Sequence, residues 1–359
     1  MIHLKKTISL FLLIILITLP LTGCEIGMNK YRYQFTGLFD TVIEMTGYAK
    51  NEKSFTEMAE LCKEFLEELN ALFDIYNDYE GIPNIKTVND MAGIAPVKVD
   101  PRILDLIEFA KTGYEQYGYV NIAMGPVLKI WHDYRTEGSR DPENARLPDI
   151  DELKEAAKKT DIQKVIVNRE EGTVFLEDAG MSLDVGAIAK GYAVEMATDY
   201  LTSLGYTSFI LSAGGNVKAC GKPADGREKW GIGLQDPDAN PFIPEDQIFD
   251  TVYVRDLSVV TSGNYQRYYY VDDKKYHHII SGETLMPADL YKAVTVVIED
   301  SAWADFFSTA LFLMPYEEGK ALAEKIQGLD VLWVLLDGTI EATPGMMSML
   351  KNLGGAANR

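Results

Sequence analysis

Asp305 and Thr309 stand four residues apart in the segment WADFFSTALFLM. In a helix the carboxylate and the hydroxyl would share one face, and Ser308, three residues after Asp305, would join them. Such hard oxygen ligands suit Mg²⁺, which completes its octahedron with water and phosphate, and they do not suit zinc. Taken alone, however, Asp and Thr near a helix start are more often caps.

A lysine and an aspartate interrupt the small and aliphatic residues of SLDVGAIAKGYAVE. The sequence predicts a strand at MSLDV, a break at Gly186 and a helix over 188–204, with Lys190 in its first turn. A cation there opposes the helix dipole, whereas an anionic ligand would meet both the lysine and the free backbone N–H groups. The alternative is a solvated lysine with Asp184 as its cap or ion-pair partner.

Two further motifs contain residue types used in ligand binding and proton transfer. In SAGGNVKACGKP, Gly214 and Gly215 follow a predicted strand. Such a turn can hold a phosphate or a planar ring, although a lone glycine pair more often marks a tight turn. In YHHII, His277 and His278 adjoin another strand, where a histidine is usually a bystander but can act as a base near neutral pH.

The elements that position these motifs are a mixture of hairpins and helices. Because strands and helices do not alternate in a regular βαβ pattern, the sequence favours the α+β class with mixed or antiparallel sheets. Strands are predicted at FDTVIEMTGYA and SFILSA. The other predictions are helices over 54–76 (N-cap Ser54), 101–117 (cap Asp100), 151–159 and 301–314, a surface connection over 135–149, a buried strand over 293–300, and hairpins with turns at 170–172, 272–273 and 337–338.

Composition limits the function classes. The 359 residues include 34 basic and 54 acidic side chains, a net charge of −20, so a surface that follows a nucleic acid backbone is excluded. One large domain or two closely joined lobes would fit this length. Cys62 and Cys220 have no metal-ligand spacing and are predicted to be buried thiols, with a single disulfide as the alternative.

The first residues have the pattern of an export signal: Lys5 and Lys6, an apolar run over 8–19, and LTGC ending at Cys24. An ordinary cleaved signal or a short anchor is one interpretation. LTGC also resembles a bacterial lipobox, which implies cleavage before Cys24, lipidation of that cysteine and a mature protein tethered to the membrane outside the cytoplasm. The predicted division is a signal over 1–23, a tether over 24–34, a domain over 35–350 and a tail over 351–359.

The motifs are more informative together. DVGAIAKGYAVE, SAGGNVKACGKP, TSGNYQRYYY with YHHII and ETLMPA, and ADFFSTALF resemble, in this order, the ApbE-type FAD:protein FMN transferase family, over about 35–344. The resemblance implies two closely joined lobes with the active site between them. It implies Mg²⁺-dependent transfer of FMN from FAD to a threonine or serine hydroxyl of a target flavoprotein, with release of AMP. The partners would be exported flavin-accepting subunits of membrane redox complexes.

The resemblance also implies roles for individual residues. Asp305, Thr309 and the carbonyl of Ala187 would bind Mg²⁺. Lys190 would meet the FAD diphosphate, and Asp184 would lie at the flavin nucleotide. The other FAD-contacting positions would be Phe39, Tyr76, Asn121, Gly214, Gly215 and Asn216.

His278 matches the proposed base for the acceptor hydroxyl. Two departures from the family pattern follow: Ser281 and Gly282 stand where Asp-Pro is expected, and Asn121 stands where many members have aspartate.

Two alternatives remain open at this point. Water could replace the acceptor hydroxyl, which would make the protein a Mg²⁺-dependent FAD pyrophosphatase, or the protein could be a flavin-binding lipoprotein without chemistry.

Overall fold

The computed structural model describes residues 27–239 and 247–357. The predicted signal and Cys24 therefore lie outside the described residues. The strands are β1 (Asn29–Leu38), β2 (Thr41–Ala49), β3 (Val97–Lys98), β4 (Val165–Asn168), β5 (Thr173–Leu176), β6 (Phe209–Ala213), β7 (Asn216–Cys220), β8 (Trp230–Gln235), β9 (Ile248–Val254), β10 (Ser258–Gly263), β11 (Tyr268–Val271), β12 (Lys274–His277), β13 (Tyr291–Ile298), β14 (Asp330–Leu335) and β15 (Ile340–Ala342).

Helices pack against the sheets, and two of them carry Lys190, Asp305 and Thr309. They are α1 (Glu52–Phe73), α2 (Ile85–Asp90), α3 (Pro101–Tyr117), α4 (Gly125–Arg140), α5 (Ile150–Ala157), α6 (Ala189–Ser203), α7 (Ser301–Leu313), α8 (Tyr316–Lys325) and α9 (Pro344–Met349), with 3₁₀ turns at Ile122–Met124, Pro142–Asn144 and Ile162–Lys164.

One eight-stranded sheet organises the molecule, in the order β1-β2-β6-β7-β10-β13-β14-β15 with every neighbouring pair antiparallel. Both faces of this sheet are buried, as the alternating side chains of β14 show. Val331 and Trp333 join the main core with α1, α6 and α7, whereas Leu332 and Val334 pack with the β8–β9 hairpin. This architecture confirms the predicted α+β class.

A third, smaller cluster forms where α4, α5 and the β11–β12 hairpin meet, around Trp131 and Tyr269. Trp131 also donates a 2.9 Å hydrogen bond to the carbonyl of Leu285. The functional cleft lies between this small cluster and the main core, and residues of both line it.

Helices α6 and α7 cross with almost no space between them. A Cβ atom at Gly191 would lie 2.3 Å from the carbonyl oxygen of Ser301 and 2.4 Å from the Cβ of Asp305. Real Cβ atoms do not approach other atoms so closely, so only glycine allows this contact. The crossing brings the start of α6 against the turn of α7 that bears Asp305.

Many sequence predictions are confirmed. Helix α3 spans the predicted 101–117 and begins with Asp100 as its cap. The hairpins β4–β5, β11–β12 and β14–β15 form at the predicted turns.

Three local predictions are wrong. The cap of α1 is Asn51, whose side chain accepts from the N–H of Ser54, so the helix begins at Glu52. MSLDV is not a strand, because the backbone N–H and C=O of Leu183 bond to the side chain of Asn89 rather than to another strand. The connection predicted over 135–149 begins later, since α4 continues to Arg140.

Both ends of the predicted domain extend further than expected. Strand β1 begins at Asn29, inside the predicted tether, and pairs with β2 along its length. In the predicted tail, the backbone N–H groups of Asn352 and Leu353 donate to the carboxylate of Asp250. Within the described ranges, no helix is both long enough and apolar enough to cross a membrane.

Cys62 and Cys220 are free, buried thiols. Burial raises the pKa of each to about 12, so neither is a reactive thiolate at neutral pH. The prediction of buried thiols is therefore confirmed, and the disulfide alternative is wrong.

Candidate active site

A cleft of about 540 Å³ contains the candidate site. Every residue to which the family resemblance assigns a role in binding or catalysis lines this cleft: Phe39, Tyr76, Asn121, Asp184, Ala187, Lys190, Gly214, Gly215, Asn216, His278, Asp305 and Thr309.

Asp305 lies at the α6–α7 crossing and is 4% exposed. Its Oδ2 accepts a 2.8 Å hydrogen bond from the N–H of Gly191, and the Nζ of Lys190 lies 4.0 Å away. Burial raises the pKa of Asp305, while the positive charge of Lys190 and the N–H of Gly191 oppose that rise. A buried carboxylate with a single distant cation is a favourable position for a metal ion.

Thr309 follows one helical turn later and lines the cleft, with its hydroxyl 3.3 Å from that of Ser262. Ser308 does not join the cleft: its hydroxyl bonds to Ser262 at 2.9 Å and donates to the carbonyl of Asp305. The expectation that Ser308 shares this face is therefore wrong, because the hydroxyl is turned toward β10.

The candidate donors for a cation are the Asp305 carboxylate, the Thr309 hydroxyl and the carbonyl of Ala187. Within the described part of the chain, no group of three or more His, Cys, Asp or Glu side chains could hold a metal ion. A single carboxylate with neutral oxygens nevertheless fits Mg²⁺, which keeps several waters and takes phosphate oxygens as further ligands.

Lys190 is the second residue of α6, a helix whose N-cap residue, Ile188, makes no side-chain cap hydrogen bond. Its ammonium donates to the carbonyl of Gly186 at 3.3 Å and faces the cleft. Asp184 is not its partner, because the carboxylate of Asp184 accepts from the N–H of Gly186 at 2.9 Å. The lysine charge is therefore available to an anionic ligand, whereas the N–H groups of Ile188, Ala189 and Gly191 are already hydrogen-bonded.

Asp184 lies in the segment that leads into α6, and the pKa of its carboxyl group is shifted. Burial raises its pKa, and the N–H of Gly186 and the charges of His132, Arg267 and Arg135 act in the opposite direction. A desolvated carboxyl group of this kind is suited to contact with a polar ligand group.

The glycine turn between β6 and β7 has positive φ at Gly214 (56°) and Gly215 (92°). A Cβ at Gly214 would lie 2.1 Å from the Oγ1 of Thr41, so the turn requires glycine there. Asn216 follows; its Oδ1 accepts from the hydroxyl of Ser301, and its buried Nδ2 has no partner among the described residues. This amide nevertheless faces the carboxylate of Asp305, whose pKa it lowers, so it helps to hold that side chain.

The two adjacent histidines have different environments. The Nε2 of His277 bonds to the carbonyl of Ala288 at 2.6 Å, so this ring is a structural group. His278 lines the cleft, and its buried Nδ1 has no partner within the described ranges. Burial, with the charges of Arg267 and Arg135, lowers the pKa of His278 to about 3, so the ring is neutral at pH 7.

The loop after His278 forms despite its departure from the family pattern. The hydroxyl of Ser281 accepts from the backbone N–H groups of Glu283 and Thr284, each at 3.3 Å. Ser281 thus supplies a local acceptor at the start of the turn, which is the usual role of a short polar side chain there.

The remaining predicted positions differ in what they offer a ligand. Both ends of the Asn121 amide are engaged, since it donates to the carbonyl of Thr160 and accepts from the N–H of Ala123. Tyr76 is 54% exposed, and its ring centroid lies 5.5 Å from that of His132. Tyr76 therefore offers an open aromatic surface, whereas Asn121 mainly shapes the wall.

Comparison with known proteins places this cleft in a family. The sequence pattern of the ApbE family matches residues 39–333. The chain belongs to the ApbE family. It is 34% identical over 283 residues to a protein of Treponema pallidum (strain Nichols) named FAD:protein FMN transferase, covering 75% of each chain. A Klebsiella pneumoniae (strain 342) protein of the same name is 32% identical over 274 residues, covering 74% of this chain and 81% of its own.

Solved structures agree with this assignment. The crystal structure of the ApbE protein of Thermotoga maritima superposes with a TM-score of 0.77 at 28% identity, covering 89% of this chain and 99% of the other. The apo form of the flavinyl transferase ApbE of Pseudomonas stutzeri gives 0.73 at 21% identity, covering 93% and 99%, and shows the same fold.

Sequence reasoning missed three cleft residues of this ApbE chain: His132, Arg135 and Arg267. A signal existed for Arg135, which follows the buried Trp131 by four residues and therefore shares its side of a helix. Extending that periodicity through the charged residues would have placed the arginine beside the site.

Proposed function

We propose that this protein transfers the FMN half of FAD to a threonine or serine hydroxyl of a target flavoprotein and releases AMP. The observation that carries the proposal is the meeting, in one cleft, of a buried carboxylate, a cation at a helix start and a neutral imidazole with a free nitrogen. The names of the relatives support the same reaction.

We also propose that the reaction requires Mg²⁺. Asp305, Thr309 and the carbonyl of Ala187 would hold the ion, and the buried, desolvated carboxylate of Asp305 is the group that most needs a cation beside it. When bound, Mg²⁺ would supply neutralisation of the charge that develops on the transferred phosphoryl group and on AMP.

The chain's own residues would do the remaining work. Lys190 would bind and orient the diphosphate through its charge. The Nδ1 of His278, which has no hydrogen-bond partner among the described residues, would accept the proton of the acceptor hydroxyl as the hydroxyl oxygen bonds to the phosphorus that bears riboflavin. The bond from that phosphorus to the oxygen of AMP breaks, and AMP leaves in line.

Placement and partners form a further part of the proposal. LTGC supports lipidation of Cys24 and residence on the outer face of the cell membrane. Residues 25–28 alone separate Cys24 from β1, so the domain would lie close to the membrane surface. Exported flavin-accepting subunits of membrane redox complexes are acceptors that such a position would reach.

The test is a reaction of the full mature protein with FAD, Mg²⁺ and a purified exported flavin-accepting subunit. The acceptor band should show flavin fluorescence that survives denaturation, chelation should abolish the labelling, and restored Mg²⁺ should recover it. Free FMN and AMP without a labelled acceptor would indicate a FAD pyrophosphatase. FAD binding without turnover would indicate a flavin-binding lipoprotein.

A further inference from the structure

Two arginines in the cleft have no carboxylate within ion-pair distance among the described residues. Arg135 on α4 lies 3.2 Å, by its Nη2, from the Nδ1 of His132, and Arg267, just before β11, donates to the backbone carbonyl of Asp40 at 3.3 Å. Across residues 27–239 and 247–357, neither guanidinium forms an ion pair. In contrast, carboxylates pair with Arg32, Arg102, Arg146, Arg169, Arg227 and Arg255.

Arg140 also forms no ion pair within the described ranges, but it is exposed and lies outside the cleft. Arg135 is half-buried, and its pKa is lowered first by burial and next by the charge of Arg267. The carboxyl group of Asp184 offsets part of this repulsion, since it raises the pKa of Arg135 and both arginines lower its own pKa. An anion bound by both guanidinium groups would remove the rest of that cost.

The arginine pair is distinct from the Lys190 end of the cleft. Lys190 lies 4.0 Å from Asp305 on α7, whereas Arg135 contacts His132 on α4 and Arg267 contacts the backbone carbonyl of Asp40. Nothing in the proposed roles of Lys190, Asp305 or Thr309 uses this side of the cleft.

We propose that Arg135 and Arg267 form a second oxyanion-binding subsite, which takes a carboxylate or phosphate group of a substrate. Planar guanidinium groups bind such oxyanions with paired hydrogen bonds. His132 fixes Arg135 by the contact at its Nδ1. The identity of the substrate rests on the proposed function: the oxyanion belongs either to the phosphates of FAD or to a carboxylate of the acceptor protein near its reactive hydroxyl.

The subsite itself is tested with inorganic phosphate, independently of any transfer. Calorimetric titration at constant ionic strength is done on Lys190→Met, which removes the other anion-binding cation. Phosphate should still bind, and adding Arg135→Met or Arg267→Met should weaken it roughly tenfold to a hundredfold. Arg140→Met, also on α4 but exposed and outside the cleft, should leave it unchanged.

Two results would overturn the subsite: phosphate binding that disappears with Lys190→Met alone, or binding that survives both arginine substitutions. Arg267 is exposed, so Arg267→Met provides a folded variant even if Arg135→Met is unstable.

The source of the oxyanion is then assigned with Lys190 intact. If the group is a phosphate of FAD, Arg267→Met should weaken FAD binding, measured by quenching of flavin fluorescence, by a similar factor. If it is a carboxylate of the acceptor, FAD affinity should stay unchanged while the KM for the flavin-accepting subunit rises and kcat changes little. Equal values in wild type and variant for both measurements would overturn the assignment to a substrate. If the protein transfers no FMN, the phosphate titration still tests whether the subsite exists.

Discussion

At Lys190 a cation occupies the first turn of α6, where the helix dipole disfavours it. Its nearest carboxylate oxygen, on Asp305, is 4.0 Å away. Lys190→Met keeps the aliphatic stem and removes the charge, so FAD affinity should fall roughly tenfold to a hundredfold. Riboflavin, which has no phosphate, should bind as before. Fluorescence quenching measures both ligands.

The control is Lys129→Met, which removes an exposed lysine paired with Asp133 on the outer side of α4. It should leave FAD affinity unchanged. Equal FAD affinity in Lys190→Met and wild type would show that this lysine does not meet the diphosphate.

His278 makes the stability of the protein depend on pH. The folded protein lowers its pKa from 6.5 to about 3, mainly by burial. As the pH falls below 6.5, the unfolded chain binds a proton that the folded chain refuses, so the free energy of unfolding declines by up to about 1.4 kcal/mol per pH unit. His278→Gln should therefore show a shallower decline than wild type in urea unfolding between pH 6.5 and 3. Parallel pH profiles would contradict the buried, neutral state.

At the scale of elements, a buried ion pair holds α6, β7 and the start of α7 together. The ammonium of Lys218 contacts both carboxylate oxygens of Glu195 and the carbonyl of Glu299, each at 2.8 Å. The same carboxylate accepts from the N–H of Ser301, the first residue of α7. The pair thus fixes the helix that bears Asp305.

Lys218→Met should leave Glu195 buried without its cation and lower the free energy of unfolding by about 3–5 kcal/mol. Lys222→Met is the matched control, because Lys222 and Glu228 form an ion pair that is about half exposed, and its loss should cost less than about 1 kcal/mol. Urea unfolding measures both. Similar losses in the two variants would mean that the buried pair has no special role.

Helices and strands were predicted correctly where short sequence signals determine them, and wrongly where contacts with residues distant in the sequence determine them. Helix α3 carries its own cap, Asp100, and a proline in its first turn, so its start is encoded locally. MSLDV has residues typical of a strand, but the backbone of Leu183 bonds to the side chain of Asn89. These two residues are 94 positions apart in the sequence, so no local pattern reveals the contact. Residues 135–149 look like a connection because of their charge and proline, yet packing of Trp131 in the small cluster sustains α4 to Arg140.

At the scale of the molecule, the site was recognisable because its chemistry sits in short motifs. Asp305 and Thr309 on one helix face, and Lys190 at a helix start, are readable from spacing alone. That these residues lie together cannot be read from their spacing, because it depends on the close crossing of α6 and α7 at Gly191. The arginine pair was missed for the same reason: α4 and the segment before β11 come together only in the folded protein.

The predicted lipid anchor governs where the whole molecule resides. Because Lys5, Lys6, the apolar run and LTGC indicate lipidation, wild-type protein should fractionate with membranes, and Cys24→Ala should be released or remain unprocessed. Cell fractionation with mass spectrometry of the mature N-terminus tests this. Wild-type protein that is fully soluble in the cytoplasm with residues 1–23 intact would contradict it.

The central claim is covalent transfer at a cleft built around Asp305. Its most direct test is mass spectrometry of a flavin-accepting subunit after incubation with the full mature protein, FAD and Mg²⁺, with AMP measured in the same reaction. The acceptor should gain one FMN in phosphodiester linkage for each AMP released. Asp305→Asn, which keeps the side-chain volume and removes the charge, should reduce the rate of both products by at least about a hundredfold. An unmodified acceptor in the wild-type reaction, or an Asp305→Asn variant that transfers at the wild-type rate, would contradict the claim.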